Sequence, residues 1–491
     1  MTSIFQRKNP AIEKLFASAG SPRKVMCVPI DYAKAQHTAL VCNGEGLQLR
    51  GVFNIHNNPA GIDFLDGIVE GLCRKHSIRK AHVFFGGEDC SAIAFNFIHA
   101  LLQKGYVGIG LNAHDAAAER ENQVASTDKL DLLGIGSLLI NKKWGRTLSP
   151  DYSDARILRD LTHHRSALVK ARSTSAYRIH HIVDQLLPGF LDETLSGITP
   201  FSQPCLWLMS QQFSPRQVLA RKSDVLTEKL RLFMVREAET KVAQLKTLAR
   251  SCLPPPASLC DILQINLTHE VSVYEHLEGC IHEVQKDIAK RLAPTPGAML
   301  TTVPGVALTL SSELYAELGD PSRDRCLTRL TSYAGLVARL KQTGGPDKEA
   351  YTRGRTRRAC VPLKRCIMDI ALKMGQYGHP ELKADYERRV NERQDPRLTM
   401  GRRMLRICHH LIQHSDFFVP PSLLRDGSHE ARRDYYARAW DKILIKWRDA
   451  AAIQQAFADG TPLEHWRNLL NERYDLNLSK LSPQYDRLRN R

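Results

Sequence analysis

The 491-residue chain holds no run of about 18 apolar residues, which excludes a membrane-spanning helix. Its opening Met1-Thr-Ser-Ile-Phe-Gln-Arg-Lys8 has no apolar core, so no signal peptide is expected and a cytoplasmic protein is. None of the twelve cysteines stands in a C-x-x-C pair, so the ligand spacing of a structural zinc site is missing. Most lie in apolar stretches, as buried thiols do, which suits a reducing compartment. No segment repeats at a fixed period, which argues against a solenoid or propeller. The shortage with most bearing on function is of acid. Asp and Glu number 52 against 69 Lys and Arg, a net charge of +17. Such a surplus points to a polyanionic partner, since each cation that neutralises a phosphate releases a condensed counterion.

The length allows two to four domains. Residues 1–150 alternate strand and helix patterns. Val25–Ile30, His37–Cys42 and Gly51–Ile55 read as three strands, with Asn43-Gly44 as a turn between the second and third. A helix over Gly61–His76 follows, with Ile62, Leu65, Ile68, Val69 and Leu72 on one face. Then come the strand Ala81–Phe85, a helix over Ala92–Gln103 and the strand Tyr106–Ile109. The order β-β-β-α-β-α-β is that of an RNase H-like α/β domain, and other α/β folds share parts of it.

Residues 151–292 read as helical. Apolar residues at helical spacing predict one helix over Asp154–Leu187, stopped by Pro188-Gly189. Ser214-Pro215 announces a second long helix, running past Val218, Leu230 and Val242 to Leu245. A third runs from Ser258 to Leu292. Long helices with sparse apolar seams suit a coiled-coil spacer that joins copies of the chain, or a compact bundle. After Pro294-Thr-Pro-Gly297, residues 298–375 read as a further helical domain and 376–491 as a basic helical tail. Trp440, Trp447 and Trp466 in that tail suit core packing better than base stacking. The adjacent pairs His163-His164, His180-His181 and His409-His410 point to different helix faces and make poor chelators.

Four acids stand out. Asp31 closes the first strand in Val28-Pro-Ile-Asp31, and Glu88 follows the fourth in Phe84-Phe-Gly-Gly-Glu88. The two glycines before Glu88 allow a tight backbone turn. Asp128 and Asp131 in Ser126-Thr-Asp-Lys-Leu-Asp131 share a helix face at i and i+3, with Ser126 or Thr127 as the cap. Alone, each acid has an ordinary explanation as a turn residue, loop acid or helix cap. Together, at strand ends and a helix start, they could surround two Mg²⁺ ions that clamp the attacking and leaving oxygens of a phosphodiester. Pro304-Gly305-Val306 before a helix reads as a helix-hairpin-helix turn whose free backbone N–H groups suit phosphate oxygens, or as a plain helix–helix turn. Arg353, Arg355, Arg357, Arg358, Lys364 and Arg365 crowd a stretch without acid and suit the nucleic-acid backbone.

These motifs resemble those of the insertion-sequence-110 family of transposases, with the Piv-type DNA invertases. The family's pattern is Gly-Ile-Asp-x-x-Lys, Gly-x-Glu and Lys-Thr-Asp-x-x-Asp. Here Ser126 replaces the lysine before the threonine. Leu300-Thr-Thr-Val-Pro-Gly-Val-Ala307, Leu310–Asp320 and Leu330-Thr-Ser-Tyr-Ala-Gly-Leu336 are similar to the family's C-terminal domain. The resemblance covers about residues 25–190 and 298–370. It implies a RuvC-like fold, and Mg²⁺ (with Mn²⁺ as substitute) held by Asp31, Glu88, Asp128 and Asp131. It further implies a bacterial, nucleoid-associated enzyme that cuts and rejoins DNA, a structured guide RNA, and a homodimer or tetramer. It also implies a serine nucleophile in a Ser-Gly-Gly-like turn. In Arg339-Leu-Lys-Gln-Thr-Gly-Gly345 that position is Thr343, whose extra methyl group crowds in-line attack; Tyr351 is a less suited hydroxyl. Two other readings stay open: a nuclease or resolvase that cuts without rejoining, and a transposase-derived protein that binds nucleic acid without catalysis.

Overall fold

The computed structural model describes residues 9–88, 93–111, 128–141, 143–148, 154–211, 213–319, 327–341, 351–355, 360–392 and 395–480. The chain forms two compact units, Met1–Tyr152 and Ser153–Arg491.

The first unit is a six-stranded sheet between two helical layers. Its strands are β1 (Met26–Asp31), β2 (Gln36–Asn43), β3 (Gln48–His56), β4 (Val83–Glu88), β5 (Val107–Gly110) and β6 (Arg146–Thr147). They lie in the order β3-β2-β1-β4-β5-β6. β1, β2 and β3 form an antiparallel meander, β4 and β5 continue from β1 in parallel, and β6 is antiparallel to β5. The helices are α1 (Pro10–Ala19), α2 (Pro59–His76), α3 (Phe95–Gln103) and α4 (Asp128–Ile140). The strand and helix order expected from the sequence is therefore present.

Strand alternation sorts the two layers. Met26, Val28 and Ile30 of β1, with Val83 and Phe85 of β4, pack on Leu65 and Val69 of α2 and Leu101 of α3. Cys27 of β1 and Phe84 of β4 face the other way, onto Ile12 of α1 and Leu132, Ile135 and Leu139 of α4. Asn9 caps α1 by accepting from the N–H groups of Ala11 and Ile12, while its amide donates to Gly145 O at 2.8 Å.

The second unit is built on two long antiparallel helices, α5 (Asp154–Leu186) and a later partner (Ala257–Leu292). Between them run α6 (Glu193–Ser196), α7 (Gln203–Ser210), α8 (Pro215–Ala220), α9 (Ser223–Leu232) and α10 (Ala238–Ser251); the partner is α11. The α5/α11 pairing is fixed by Ser175 Oγ donating to Glu270 O at 3.0 Å and by Arg172 to Glu278 at 2.5 Å. One end of the pair joins a core with α6–α10 through Ile179, Val183, Leu267 and Val271. The single helix expected over Ser214–Leu245 is instead three helices. Met234 and Glu237 take left-handed conformations at the second break, with φ of 55° and 53°. No glycine or proline marks either break, so the apolar period read straight through them.

The other end of the pair, with Leu158 and Leu292, enters a larger core that extends to Tyr474. It takes in the 3-10 helix Pro296–Thr302, α12 (Leu308–Leu318), α13 (Leu327–Tyr333), α14 (Val361–Tyr377), α15 (Pro380–Asn391) and α16 (Pro396–His414). After these come α17 (Pro421–Asp426), α18 (His429–Lys446), α19 (Ala450–Ala456) and α20 (Pro462–Tyr474). Trp440 and Trp447 are buried in this core. A two-stranded hairpin, β7 (Ala338–Lys341) and β8 (Tyr351–Arg355), interrupts the helical run where the sequence suggested only helix. Its strands are short and basic, and antiparallel pairing is a non-local property that no single-strand pattern announces. Among the described residues no helix is long and apolar enough to cross a membrane.

Candidate active site

Asp31 and Glu88 are register partners on the parallel strands β1 and β4. Neighbouring strands lie about 4.8 Å apart, so the two acids stand side by side at the C-terminal ends of these central strands. Alternation continues Cys27-Pro29-Asp31 on β1 and Phe84-Gly86-Glu88 on β4, placing both acids on the face covered by α4. That helix crosses these two strands. A Cβ on Gly136 would stand 3.4 Å from Pro29 Cγ, and one on Gly86 would meet Leu139 Cδ2 at 2.7 Å.

The glycines of Phe84-Phe-Gly-Gly-Glu88 have a different role from the turn expected. Both lie inside β4, and neither has a positive φ. What they supply is room: a Cβ on Gly87 would lie 2.0 Å from Ile30 O and 2.7 Å from Tyr32 Cε2. The absence of side chains at 86 and 87 lets α4 and β1 close onto β4 directly beside Asp31 and Glu88.

α4 begins at Asp128, and Asp131 lies one turn in, next to the buried Leu132. Asp131 is half-buried, with Oδ1 removed from solvent. The Asp128 side chain and the capping candidates Ser126 and Thr127 lie outside the described residues. Three of the four predicted acids thus lie on β1, β4 and the helix that covers both. Among the described residues no three His, Cys, Asp or Glu side chains are close enough to enclose a metal. The donor set fits Mg²⁺ in kind, because hard carboxylate oxygens are its usual protein ligands.

In the second unit, Gly305 (φ +82°) makes the turn between the 3-10 helix and α12. A Cβ there would meet Lys373 O at 3.2 Å, so α14 closes against the turn. α12 starts without a side-chain cap. The turn is held from behind: Lys446 Nζ donates to Thr301 O at 2.5 Å and Val303 O at 2.6 Å, and Trp447 Nε1 donates to Thr301 Oγ1 at 3.3 Å. Burial drives the Lys446 ammonium down to a pKa of about 7.

Thr343 lies outside the described residues, in the chain between β7 and β8. The roots of that hairpin are described. At its entry, Leu336 O accepts from Arg402 Nε at 2.7 Å. At its exit, the Cys360 N–H donates to Tyr333 O at 2.9 Å. Beneath them lies Glu317 of α12, only 6% exposed. Its Oε1 is 2.7 Å from His163 Nε2 and 3.4 Å from Arg159 Nε, both on α5, and its Oε2 accepts from Cys360 Sγ at 3.2 Å. Burial raises the Cys360 thiol and pushes the Tyr333 phenol up to about 12. Sequence reasoning missed this anchor. Glu317 stands in a recognised motif, but its partner His163 is 154 residues away.

The basic candidates separate. Arg353 and Arg355 are on β8, and their side chains, like the whole of Arg357 and Arg358, lie outside the described residues. Lys364 is half-buried on α14. Arg365 is exposed; it lies 4.0 Å from Glu313 and donates to Ser166 Oγ at 3.4 Å. Burial raises the Glu313 carboxyl, opposed by Arg365 and Arg165. Further on, Arg388, Arg389 and Arg403 converge on Asp385, which balances part of the basic stretch from within.

A mixed sheet with acids at the ends of its two central parallel strands, followed by a helical remainder, is the architecture of an RNase H-like domain joined to a helical part. Comparison with protein families agrees. Residues 28–188, from β1 through α5, match a DEDD-type family model described as transposase. Residues 297–387 match the model described as transposase IS116/IS110/IS902 family. No curated protein matches the chain. Together the two models span about half of the sequence, and the chain belongs to the IS110 family of transposases. That membership carries DNA as substrate, a DNA-cleaving or recombining activity, and a general dependence on divalent metal.

Proposed function

We propose that the protein is the transposase of an insertion sequence that cuts and rejoins DNA. Asp31, Glu88, Asp128 and Asp131 would hold Mg²⁺, for which Mn²⁺ can substitute, and Thr343 would be the nucleophile. The observation that carries this reading is the pairing of Asp31 with Glu88 on the α4 face, beside glycines that leave no space for a side chain. Bound there, divalent metal would stabilise charge on the attacking and leaving oxygens. Thr343 Oγ loses its proton as it bonds to phosphorus, and one sugar oxygen leaves and takes up a proton. Attack by a second sugar hydroxyl on that linkage releases the threonine and reseals a strand. The Tyr333–Cys360 and Leu336–Arg402 hydrogen bonds hold the hairpin roots on either side of the nucleophile segment. Backbone phosphates would be gripped by Gly305 N–H, by Arg353, Arg355, Arg357 and Arg358, and by Lys364. Arg365, already engaged with Glu313, is the weakest of that set. The surplus of positive charge suits a cargo of DNA with a structured guide RNA, carried by a homodimer or tetramer.

The test is divalent-metal-dependent cleavage and covalent-adduct formation on the gene's own flanking DNA, with its noncoding RNA supplied. Wild type is compared with Asp31→Ala and Thr343→Ala. An adduct lost in both variants supports the proposal. Cleavage lost only in Asp31→Ala would mean a metal nuclease that does not rejoin. Tight binding without any reaction would mean a non-catalytic descendant.

A further inference from the structure

Beyond residue 387, where the family match ends, a cavity of about 580 Å³ opens among α16, α17, α18 and α20. That is within the range of roughly 300–1,000 Å³ typical of small-ligand sites. Its floor is aromatic. Phe417, Tyr436 and Tyr474 are buried there, and Trp466 is half-buried with its indole N–H tied to Ser415 O. Phe417 meets Tyr436 edge-on at 5.3 Å, and Tyr436 lies 5.1 Å from Tyr474, so the floor is a packed unit.

The rim is cationic. Four arginines line the cavity against a single carboxylate, Asp416, which is 3.2 Å from His410 Nε2. Arg403 is balanced by Asp385 at 3.0 Å. Arg432 donates to Leu423 O, a carbonyl that leaves its charge in place. Arg406 and Arg473 are exposed and make no ion pair among the described residues. A plain anion would use the rim and leave the floor idle; an uncharged apolar ligand would do the reverse. A nucleotide uses both, with its base on the aromatic surface and its phosphate on the guanidinium groups.

We infer that this cavity takes one unstacked nucleotide of a single strand, base inward and phosphate on Arg406 and Arg473. The strand can be RNA or DNA. The inference does not depend on the carboxylate site, and its test is run in EDTA so that failure of either reading shows separately.

Full-length protein is photocross-linked to short single-stranded RNA and DNA carrying 5-iodouracil, with adducts mapped by mass spectrometry. Affinity is measured in parallel across a salt series. Adducts at Trp466, the one of the four rings that is not buried, are expected, from RNA, DNA or both, and the productive arm names the source. Arg406→Ala/Arg473→Ala changes two exposed residues and should fold. It should bind at least about tenfold more weakly, with the salt slope falling by about 0.7 for each phosphate that is no longer neutralised. Arg433→Ala/Arg438→Ala removes the same charge from exposed positions of α18 that do not line the cavity, and should change affinity little. Cross-links confined to other parts of the chain would overturn the inference. So would equal losses in the two double variants, which would mean surface charge alone.

Discussion

Gly87→Ala is the most direct probe of how the carboxylate pair is built. The new methyl group would sit 2.0 Å from Ile30 O and 2.7 Å from Tyr32 Cε2, where contacts under 3.0 Å do not persist. The first obstacle is backbone, so no rotamer change relieves it. β1 and β4 must part by about 1 Å at the step before Asp31 and Glu88. Overpacking costs about 1–3 kcal/mol when side chains can yield, and more is expected against a fixed carbonyl. At about 3 kcal/mol, and about 2–4 °C per kcal/mol for a unit of this size, the melting point of residues 1–152 should fall by roughly 6–12 °C. A misplacement of about 1 Å can reduce turnover about a hundredfold, so metal-dependent cleavage should suffer even below the melt. Gly67→Ala and Gly71→Ala are the controls. Both lie in α2 with nothing within 4 Å of the added Cβ, and each should raise stability by about 0.5–1 kcal/mol. Differential scanning calorimetry of the four proteins decides the matter. A Gly87→Ala protein that melts with wild type would refute the close-approach argument.

Two further outcomes follow from the second unit. Lys446 titrates near 7 in the folded chain against 10.5 for the exposed group, so between about pH 7 and 10 the unfolded chain carries the extra proton. Stability should therefore rise with pH across that window, and Lys446→Met should flatten the rise in urea titrations; an unchanged slope would show that this lysine is not its source. Glu317→Ala removes the acceptor shared by His163, Arg159 and Cys360. A loss of about 1.5–3 kcal/mol is expected by thermal denaturation, limited because Arg159 and His163 can turn to water, while a loss below about 0.5 kcal/mol would remove Glu317 as the anchor of the hairpin roots.

The strand order of the first unit and its leading acids were legible because their signals are local. Short apolar runs marked β1 and β4, and Asp31 and Glu88 stand where those strands end. The long helices α5 and α11 were legible for the same reason, through apolar residues at helical spacing. The β7–β8 hairpin was not, because four- and five-residue basic strands gain their identity only from each other. The breaks that split residues 214–251 into three helices were missed because Met234 and Glu237 accept left-handed conformations that their residue types do not advertise.

By itself, then, the sequence determined the family, the RNase H-like order of elements and the places of Asp31 and Glu88 at strand ends, all of which reside in short stretches of chain. Tertiary structure alone decided why Gly86 and Gly87 are glycines. It also decided that Glu317 meets a histidine 154 residues away, that Arg365 faces a carboxylate of its own chain, and that tail residues Lys446 and Trp447 hold the Gly305 turn. Each of these depends on which surfaces are pressed together when the core closes, and packing of that kind joins residues with no relation along the chain.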